Sequence, residues 1–208
     1  MDEVKTLSLI VVLAPLAGAL VAGLFCRIIP RWLAAGAAIA GVAAAFAASL
    51  PIFLKIQAAQ AFPRQLPVAE GAIIPATSFN IPFYTWLTGG GYSFEVGFLI
   101  DPLTIVMMLV VTFVSLMVHI YTIGYMKDDP GFNRFFSYIS LFTFSMLMLV
   151  MANNFMQLFF GWEAVGLVSY LLIGFWYTRP TAIHANLKAF LVNRVGDFGF
   201  LLGIGLVL

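Results

Sequence analysis

Hydrophobic residues form six runs long enough to cross a bilayer, separated by short polar turns and one longer loop. A helix needs about 20 mostly apolar residues to span the hydrocarbon core of a membrane. The pattern therefore predicts an all-α polytopic membrane protein. The six predicted spans are Thr6–Arg27, Trp32–Lys55, Ile100–Tyr125, Phe136–Met151, Phe155–Trp176 and Ala185–Leu208.

These runs divide the chain into three parts. Residues 1–56 hold the first two spans, residues 57–99 form an extramembrane loop, and residues 100–208 hold the other four spans. The chain ends within the apolar run "DFGFLLGIGLVL", so we expect it to be the amino-terminal fragment of a longer protein.

The long loop contains a β-hairpin pattern. Apolar and polar or small residues alternate over "YSFEVGF" at 92–98, and a triple glycine at 89–91 separates this segment from "FYTWL". Alternation on both sides of a glycine turn is typical of a hairpin. We expect the hairpin to dock on a neighbouring loop, and a ligand-binding role is the alternative.

Basic residues collect on one side of the predicted membrane. Cytoplasmic loops of membrane proteins carry an excess of Lys and Arg. The pattern predicts that the amino terminus and the hairpin face away from the cytoplasm, in a bacterial cytoplasmic membrane. Six basic residues lie on the predicted cytoplasmic side, Arg27, Arg31, Lys127, Arg134, Arg179 and Lys188, against Lys5, Lys55 and Arg64 on the other.

Composition excludes several classes of function. Only 9% of residues are charged, against about 25% in soluble domains, and 62% are hydrophobic. A net charge of +1 gives no basic field for binding nucleic acid. Cys26 is the only cysteine, so an internal disulfide or a cysteine metal site is excluded. The motifs that bind phosphates, dinucleotides, haem or iron–sulfur clusters are missing, and His119 with His184 is a weak metal pair.

Glu163 is the strongest candidate for a functional residue in this sequence. It lies near the middle of the fifth span, where an ionised side chain costs roughly 2.5–3.5 kcal/mol even on the lenient insertion scale. No basic residue lies within four positions of it, so any partner must come from another span. Gly161 and Gly166 flank it and allow a neighbouring backbone or water to approach. Intramembrane acids mark ion pathways and proton relays, although a purely structural role is the alternative.

The sixth span carries a second set of polar residues. Asn186, Asn193 and Asp197 fall on one helical stripe, and Arg194 and Asp197 at i, i+3 can meet on the helix surface. A structural ion pair that holds two helices together explains Arg194 and Asp197 as well as a functional role does.

A third polar stripe runs along the third span. Thr112, Ser115, His119 and Thr122 are spaced for one helix face. Imidazole titrates near neutral pH, so His119 is a candidate proton relay. Ordinary packing is the alternative, because Ser and Thr often bond to their own helix backbone.

Three segments together resemble a known family. They are "GWEAVGLVSYLLIGFWY", "VGFLIDPLTIVMMLVVTFVSLMVHIYTIGYM" and "NLKAFLVNRVGDFGF". They closely resemble the large antiporter-like membrane subunit of respiratory complex I, called L in bacteria and subunit 5 in mitochondria. The resemblance covers nearly the whole chain from Tyr92 onward. The first pattern also separates the chain from the related multisubunit cation/proton antiporters.

The resemblance implies a larger bundle built from two inverted repeats, of which this chain carries less than half. It implies that Glu163 is the essential acid of a proton channel, with its lysine partner on a later broken helix. It also implies that Arg194 and Asp197 tune that site. The central lysines, the output-side group and the lateral amphipathic helix of the family lie beyond this chain.

The function predicted in this way is proton translocation within an NADH:quinone oxidoreductase. The chain itself is expected to hold no cofactor and no metal, with flavin, iron–sulfur clusters and quinone in other subunits. Its expected partners are other membrane subunits, especially an adjacent antiporter-like one, together with lipid and protons. Two alternatives stay open: a subunit of a cation/proton antiporter, and a passive membrane scaffold.

Overall fold

The computed structural model describes residues 2–61, 78–89 and 92–207. Within these ranges it contains six α-helices and one two-stranded sheet. All six helices are long and apolar enough to cross a membrane, which confirms the predicted number of spans. The helices are α1 (Asp2–Leu24), α2 (Arg31–Ala61), α3 (Pro102–Tyr125), α4 (Phe132–Val150), α5 (Phe155–Ile173) and α6 (Pro180–Val207).

Helix boundaries differ from the predicted spans in both directions. Helix α1 ends at Leu24 rather than Arg27 and α5 at Ile173 rather than Trp176, while other helices run beyond their apolar stretch. Helix α2 extends to Ala61 rather than ending at Lys55, and α6 begins at Pro180 rather than Ala185. Proline is well tolerated in the first turn of a helix, where its missing N–H would have no partner. Hydrophobicity marks the part of a helix that crosses lipid, whereas the helix itself runs further.

Helices α1 and α2 pack closely through small residues. A side chain at Gly18 would place its Cβ 3.0 Å from both the Ala37 carbonyl oxygen and the Ala38 Cα. Ala34, Ala38 and other alanines along α2 are fully buried against neighbouring helices. Small residues allow two helix backbones to approach each other closely. This matters inside a membrane, where the hydrophobic effect does not drive helices together.

Helices α5 and α6 lie at the edge of the bundle. Helix α4 packs between α1 and α5, and α6 packs on α5. In the described part of α6 only Asp197 and Ile204 are buried. Asp197 is therefore buried in a helix whose apolar side chains are mostly exposed.

The loop forms the predicted hairpin. Strand β1 (Phe79–Gly89) pairs antiparallel with β2 (Tyr92–Ile100), with two irregularities in the register. Two of the three turn glycines, and the rest of the loop at 62–77, lie outside the described residues.

The hairpin docks on the turn between α4 and α5, as predicted. The Leu99 N–H donates to the Met151 carbonyl at 3.0 Å, and the Asn154 side-chain amide donates to the Glu95 carbonyl at 2.6 Å. Asn154 also caps α5 by accepting from the Gln157 N–H at 2.9 Å, while the Gln157 side chain accepts from the Gly97 N–H at 3.0 Å. The hairpin therefore fixes the start of the helix that carries Glu163.

The three short turns at the opposite end contact one another. The Arg31 guanidinium donates to the Lys127 carbonyl at 2.5 Å. The Asn133 amide donates to the Cys26 carbonyl at 2.9 Å, and Arg134 donates to the Phe175 carbonyl at 3.1 Å. The α1–α2, α3–α4 and α5–α6 turns thus share one end of the bundle, away from the hairpin. Cys26 is a free thiol, partly buried in this network.

Candidate functional site

Glu163 on α5 forms an ion pair with Arg194 on α6, and Arg194 Nη1 donates to Glu163 Oε2. The Glu163 side chain is 23% exposed and that of Arg194 is 37% exposed. The prediction that the partner comes from another helix is confirmed. The direct pairing differs from what the family resemblance implied, which was a tuning role for Arg194 and a later lysine as the partner. The scaffold alternative did make Glu163 and Arg194 members of structural ion pairs.

Arg194 also faces a second carboxylate. Its Nη1 lies 3.4 Å from Asp197 Oδ2, and the Asp197 side chain is only 4% exposed. Two carboxylates on different helices therefore share one guanidinium, which leaves the three groups with one excess negative charge when all are ionised. Either carboxylate can therefore accept a hydrogen bond from this guanidinium.

Two neutral donors hold Asp197 in place. Trp162 Nε1 donates to Asp197 Oδ1 at 2.9 Å, and Asn193 Nδ2 donates to Asp197 Oδ2 at 3.2 Å. Hydrogen bonds to a carboxylate stabilise its charged form. Asp197 is thus the anchored acid of the pair, whereas Glu163 has Arg194 as its hydrogen-bond partner among the described residues.

Arg194 keeps one donor unused. Its Nε is buried and has no hydrogen-bond partner in the described structure. The guanidinium also lies over the Phe190 ring, 4.9 Å from its centroid. The Phe190 ring thus packs against the guanidinium on α6, beside its contacts with the two carboxylates.

Glycines on α5 make the room for this site. A Cβ at Gly166 would collide with the Asn193 amide, and a Cβ at Gly161 would lie 2.7 Å from the Leu149 Cα on α4. The expectation that these glycines admit neighbouring groups is confirmed on both sides of the helix. Gly174, the residue that follows α5, receives Asn186 in the same way, seven residues earlier in α6 than Asn193.

The site borders open space on two sides of α6. A cavity of about 260 Å³ lies against Gly166 and Asn193, and another of about 570 Å³ reaches Asp197 and Lys188. Trp162 lines both cavities. Both cavities are open to the outside of the described bundle, and their lining is mainly apolar.

His119 belongs to a separate cluster. Its side chain is completely buried between α3 and α4, with Nε2 2.9 Å from Ser140 Oγ and Nδ1 2.7 Å from the Ser115 carbonyl. Ser115 Oγ is hydrogen-bonded to Thr143 Oγ1 at 2.5 Å. The structure thus brings Glu163, Arg194 and Asp197 together and places His119 in a different helix pair.

The rest of the α3 stripe bonds locally. Thr112 donates to the Met108 carbonyl and Thr122 to the Val118 carbonyl, each at 2.7 Å. His184 is exposed whereas His119 is buried, and the described ranges contain no group of three His, Cys, Asp or Glu residues arranged to hold a metal ion.

Trp162 is the site residue that sequence reasoning missed. It directly precedes Glu163, and its indole N–H reaches Asp197 on the next helix. A tryptophan N–H usually has a partner when its ring packs inside a protein. Trp162 is 44% exposed, so that rule did not apply to it, and the sequence pattern gave no signal for its contact with Asp197.

Comparison with known proteins gives two family matches. Residues 86–136 match the model described as NADH-Ubiquinone oxidoreductase (complex I), chain 5 N-terminus. Residues 152–208 match the model described as NADH:quinone oxidoreductase/Mrp antiporter, TM. Glu163, Arg194 and Asp197 all lie in the second matched segment.

The names of similar full-length proteins agree with these two family descriptions. NADH-quinone oxidoreductase subunit L of Neisseria meningitidis serogroup B is 60% identical over 204 residues, which are 98% of this chain and 28% of the relative. The subunit L of Rickettsia bellii is 44% identical, over 96% of this chain and 29% of the relative. NADH-ubiquinone oxidoreductase chain 5 of Dictyostelium discoideum is 58% identical over 123 residues, 59% of this chain and 18% of the relative. The chain thus spans less than a third of the length of these relatives.

Proposed function

Because this chain belongs to the family of complex I chain 5 and its bacterial counterpart, subunit L, we propose that it takes part in translocating protons as a membrane subunit of an NADH:quinone oxidoreductase. The observation that supports this most strongly is the shared guanidinium of Arg194 between Glu163 and Asp197. Charged groups inside a membrane are costly, and a set of two acids and one base is suited to proton transfer.

In the proposed cycle Glu163 is the group that takes up and releases a proton. While Arg194 pairs with Glu163, the carboxylate is held in its charged form. When the guanidinium moves towards Asp197, that stabilisation is lost and Glu163 binds a proton. Two unit charges 4 Å apart interact by about 4 kcal/mol at an effective dielectric of 20, so a small movement of Arg194 is enough to drive the exchange.

Asp197 receives the guanidinium in this scheme. Its bonds from Trp162 and Asn193 keep its charge fixed on α6 while Arg194 changes partner. Arg194 and Asp197 are therefore assigned to tuning Glu163, and a purely structural lock is the alternative.

His119 is assigned a lower-ranked role as a possible relay. Its contacts with Ser140 and Ser115, and through Ser115 with Thr143, form a hydrogen-bonded chain between α3 and α4. Such a chain is able to pass protons if the imidazole can change its tautomer.

The energy for pumping comes from redox chemistry elsewhere in the complex. In this proposal flavin, iron–sulfur clusters and quinone lie in other subunits, and this chain holds no cofactor. Its partners are the other membrane subunits, especially an adjacent antiporter-like subunit, along with lipid and protons. The chain lies in a bacterial cytoplasmic membrane with its amino terminus and hairpin outside, because most basic turn residues lie at the opposite end.

A second candidate function is a subunit of a multisubunit cation/proton antiporter. One matching family description names the Mrp antiporter beside the oxidoreductase. Co-purification with flavin- and cluster-bearing subunits supports the oxidoreductase, and their absence from an intact preparation supports the antiporter.

Removing the shared cation tests the proposal directly. Arg194→Gln leaves Glu163 and Asp197 without their guanidinium, while Arg194→Lys keeps a positive charge at that position. Proton pumping per NADH oxidised, measured in the assembled complex, should fall strongly in the first variant and partly in the second. Parental pumping by an assembled Arg194→Gln variant would contradict the proposal and favour the scaffold.

A further inference from the structure

A polar cleft lies at the end of the bundle opposite the hairpin. Its volume is about 660 Å³, within the range of roughly 300–1,000 Å³ usual for small-ligand sites. The α1–α2, α3–α4 and α5–α6 turns all contribute to its lining. None of the residues of the proposed proton site lines it, so it is a separate feature of the protein.

The cleft carries an uncompensated positive charge. Arg27, Arg31 and Arg134 line it, and Asp129 is its one acidic lining residue. Among the described residues none of these arginines forms an ion pair. The Arg134 Nε is also buried without a hydrogen-bond partner. The lining therefore has two excess positive charges and at least one unused guanidinium donor.

Asp129 does not neutralise these arginines directly. One of its oxygens accepts from Trp176 Nε1 at 3.0 Å and the other from the Gly131 N–H at 2.7 Å. The Trp176 hydrogen bond is the main reason why the pKa of Asp129 lies below its ordinary value. The carboxylate is thus held by these two donors and interacts electrostatically with Arg134, and three arginines of the lining still outnumber it.

Aromatic rings and backbone groups hold two of the arginines in position. The Arg134 guanidinium lies 4.6 Å from the Phe175 ring centroid and 5.2 Å from that of Tyr177. Arg31 is fixed by its bond to the Lys127 carbonyl. A guanidinium that is positioned in advance loses less side-chain freedom when it binds an oxyanion, and its planar fork matches phosphate oxygens.

Exposed apolar side chains neighbour, along the chain, the α1–α2 turn residues that line the cleft. Leu24, Ile28 and Trp32 lie in or beside the α1–α2 turn with most of their surface uncovered. Tryptophan is enriched where protein meets the membrane–water interface. An anion bound by the arginines would therefore lie at the depth of lipid headgroups, with an apolar surface beside it for acyl chains.

We propose that this cleft binds the phosphodiester headgroup of an anionic phospholipid. The arginines take the phosphate, and the exposed apolar residues of the α1–α2 turn contact the acyl chains. Free inorganic phosphate shares the first interaction but not the second. The proposal rests on the membrane location of the chain and stands apart from the proton transfer assigned to Glu163.

Native mass spectrometry of the intact complex, delipidated and then supplied with phosphatidylglycerol, tests this site. Arg27→Gln is the variant least expected to disturb folding, because Arg27 is exposed and makes no hydrogen bond or ion pair with described residues. Each basic residue near a membrane surface contributes about 1 kcal/mol, so the half-saturating lipid concentration for one bound lipid should rise about fivefold. Arg27→Gln with Arg31→Gln should raise that concentration by about 25-fold to 30-fold.

Lys127→Gln is the matched control, since Lys127 is a basic residue of the same end of the bundle that does not line the cleft. It should bind the lipid as the parent does. Equal losses in Lys127→Gln and Arg27→Gln, or unchanged binding in the double arginine variant, would overturn the proposal. Equal binding of phosphatidylcholine, or full displacement by millimolar inorganic phosphate, would also overturn it.

Discussion

Arg194 on α6 is paired with Glu163 on α5, although 30 residues separate them in the chain. The pair lies between two helices whose surfaces are otherwise mostly apolar. Asp197, three residues further along α6, lies 3.4 Å from the same guanidinium nitrogen, Nη1. The arrangement gives the intramembrane glutamate a cation that can be shared, which explains how its charge is accommodated.

Replacing Asp197 by asparagine separates the tuning role from the structural one. The amide keeps the shape of Asp197 but no longer attracts Arg194, which still has Glu163 as a partner. We therefore expect normal assembly, with pumping reduced about tenfold, the effect of roughly 1.4 kcal/mol on a rate-limiting step. Subunit amounts on a native gel, set beside the pumping rate, measure both effects. Asp128→Asn, in the exposed α3–α4 turn, is the control and should change neither.

Loss of assembly in the Asp197→Asn variant would support the alternative. A buried cation left without its carboxylate is strongly destabilising when no other partner compensates it. If subunit amount and pumping fall together, the Arg194–Asp197 pair acts as a lock between helices.

Gly161 is expected to be required for packing rather than for chemistry. A Cβ there would lie 2.7 Å from the Leu149 Cα and 2.8 Å from its nitrogen, so α4 and α5 would have to separate. Overpacking of this kind costs roughly 1–3 kcal/mol. Gly161→Ala should therefore lower the amount of assembled subunit and its thermal stability in membranes.

Gly36→Ala is the matched comparison for Gly161→Ala. Nothing lies within 4 Å of a Cβ at Gly36, and alanine is favoured over glycine in helices by about 1 kcal/mol. This variant should assemble at least as well as the parent. Equal stability of the two alanine variants would show that the close contact of α4 with α5 is not needed.

The orientation in the membrane is testable with single cysteines in a background where Cys26 is replaced by alanine. Thr88 lies exposed near the hairpin tip, and Asp128 lies exposed in the α3–α4 turn. A membrane-impermeant thiol reagent added to intact cells should label Thr88→Cys. It should label Asp128→Cys only after the cells are opened. The reverse pattern would overturn the proposed orientation.

The spans and the hairpin were predictable because each leaves a local pattern. Apolar runs mark helices that cross lipid, and alternation beside glycines marks paired strands. The i, i+3 spacing of Arg194 and Asp197 was likewise visible in one helix. Each of these features is determined by neighbours along the chain.

The pairing across helices was not predictable in the same way. Which residue of α6 faces Glu163 depends on the rotation and height of two helices packed through Gly166 and Asn193. The same holds for Trp162, whose partner lies 35 residues away. The sequence pattern of α3 left His119 open as a relay or a packing residue, and the structure adds its partners on α4 without assigning the role.

Proton pumping by a Glu163→Gln variant of the full complex tests the central claim most directly. Glutamine keeps the size and hydrogen bonding of Glu163 but cannot titrate, and Glu163→Asp keeps the acid on a shorter side chain. Pumping is measured in sealed vesicles beside quinone reduction by NADH, with Asp128→Asn as the control. The account predicts a normally assembled Glu163→Gln complex in which both activities are strongly reduced, and partial activity for Glu163→Asp. A Glu163→Gln complex that assembles and pumps at the parental rate would contradict it.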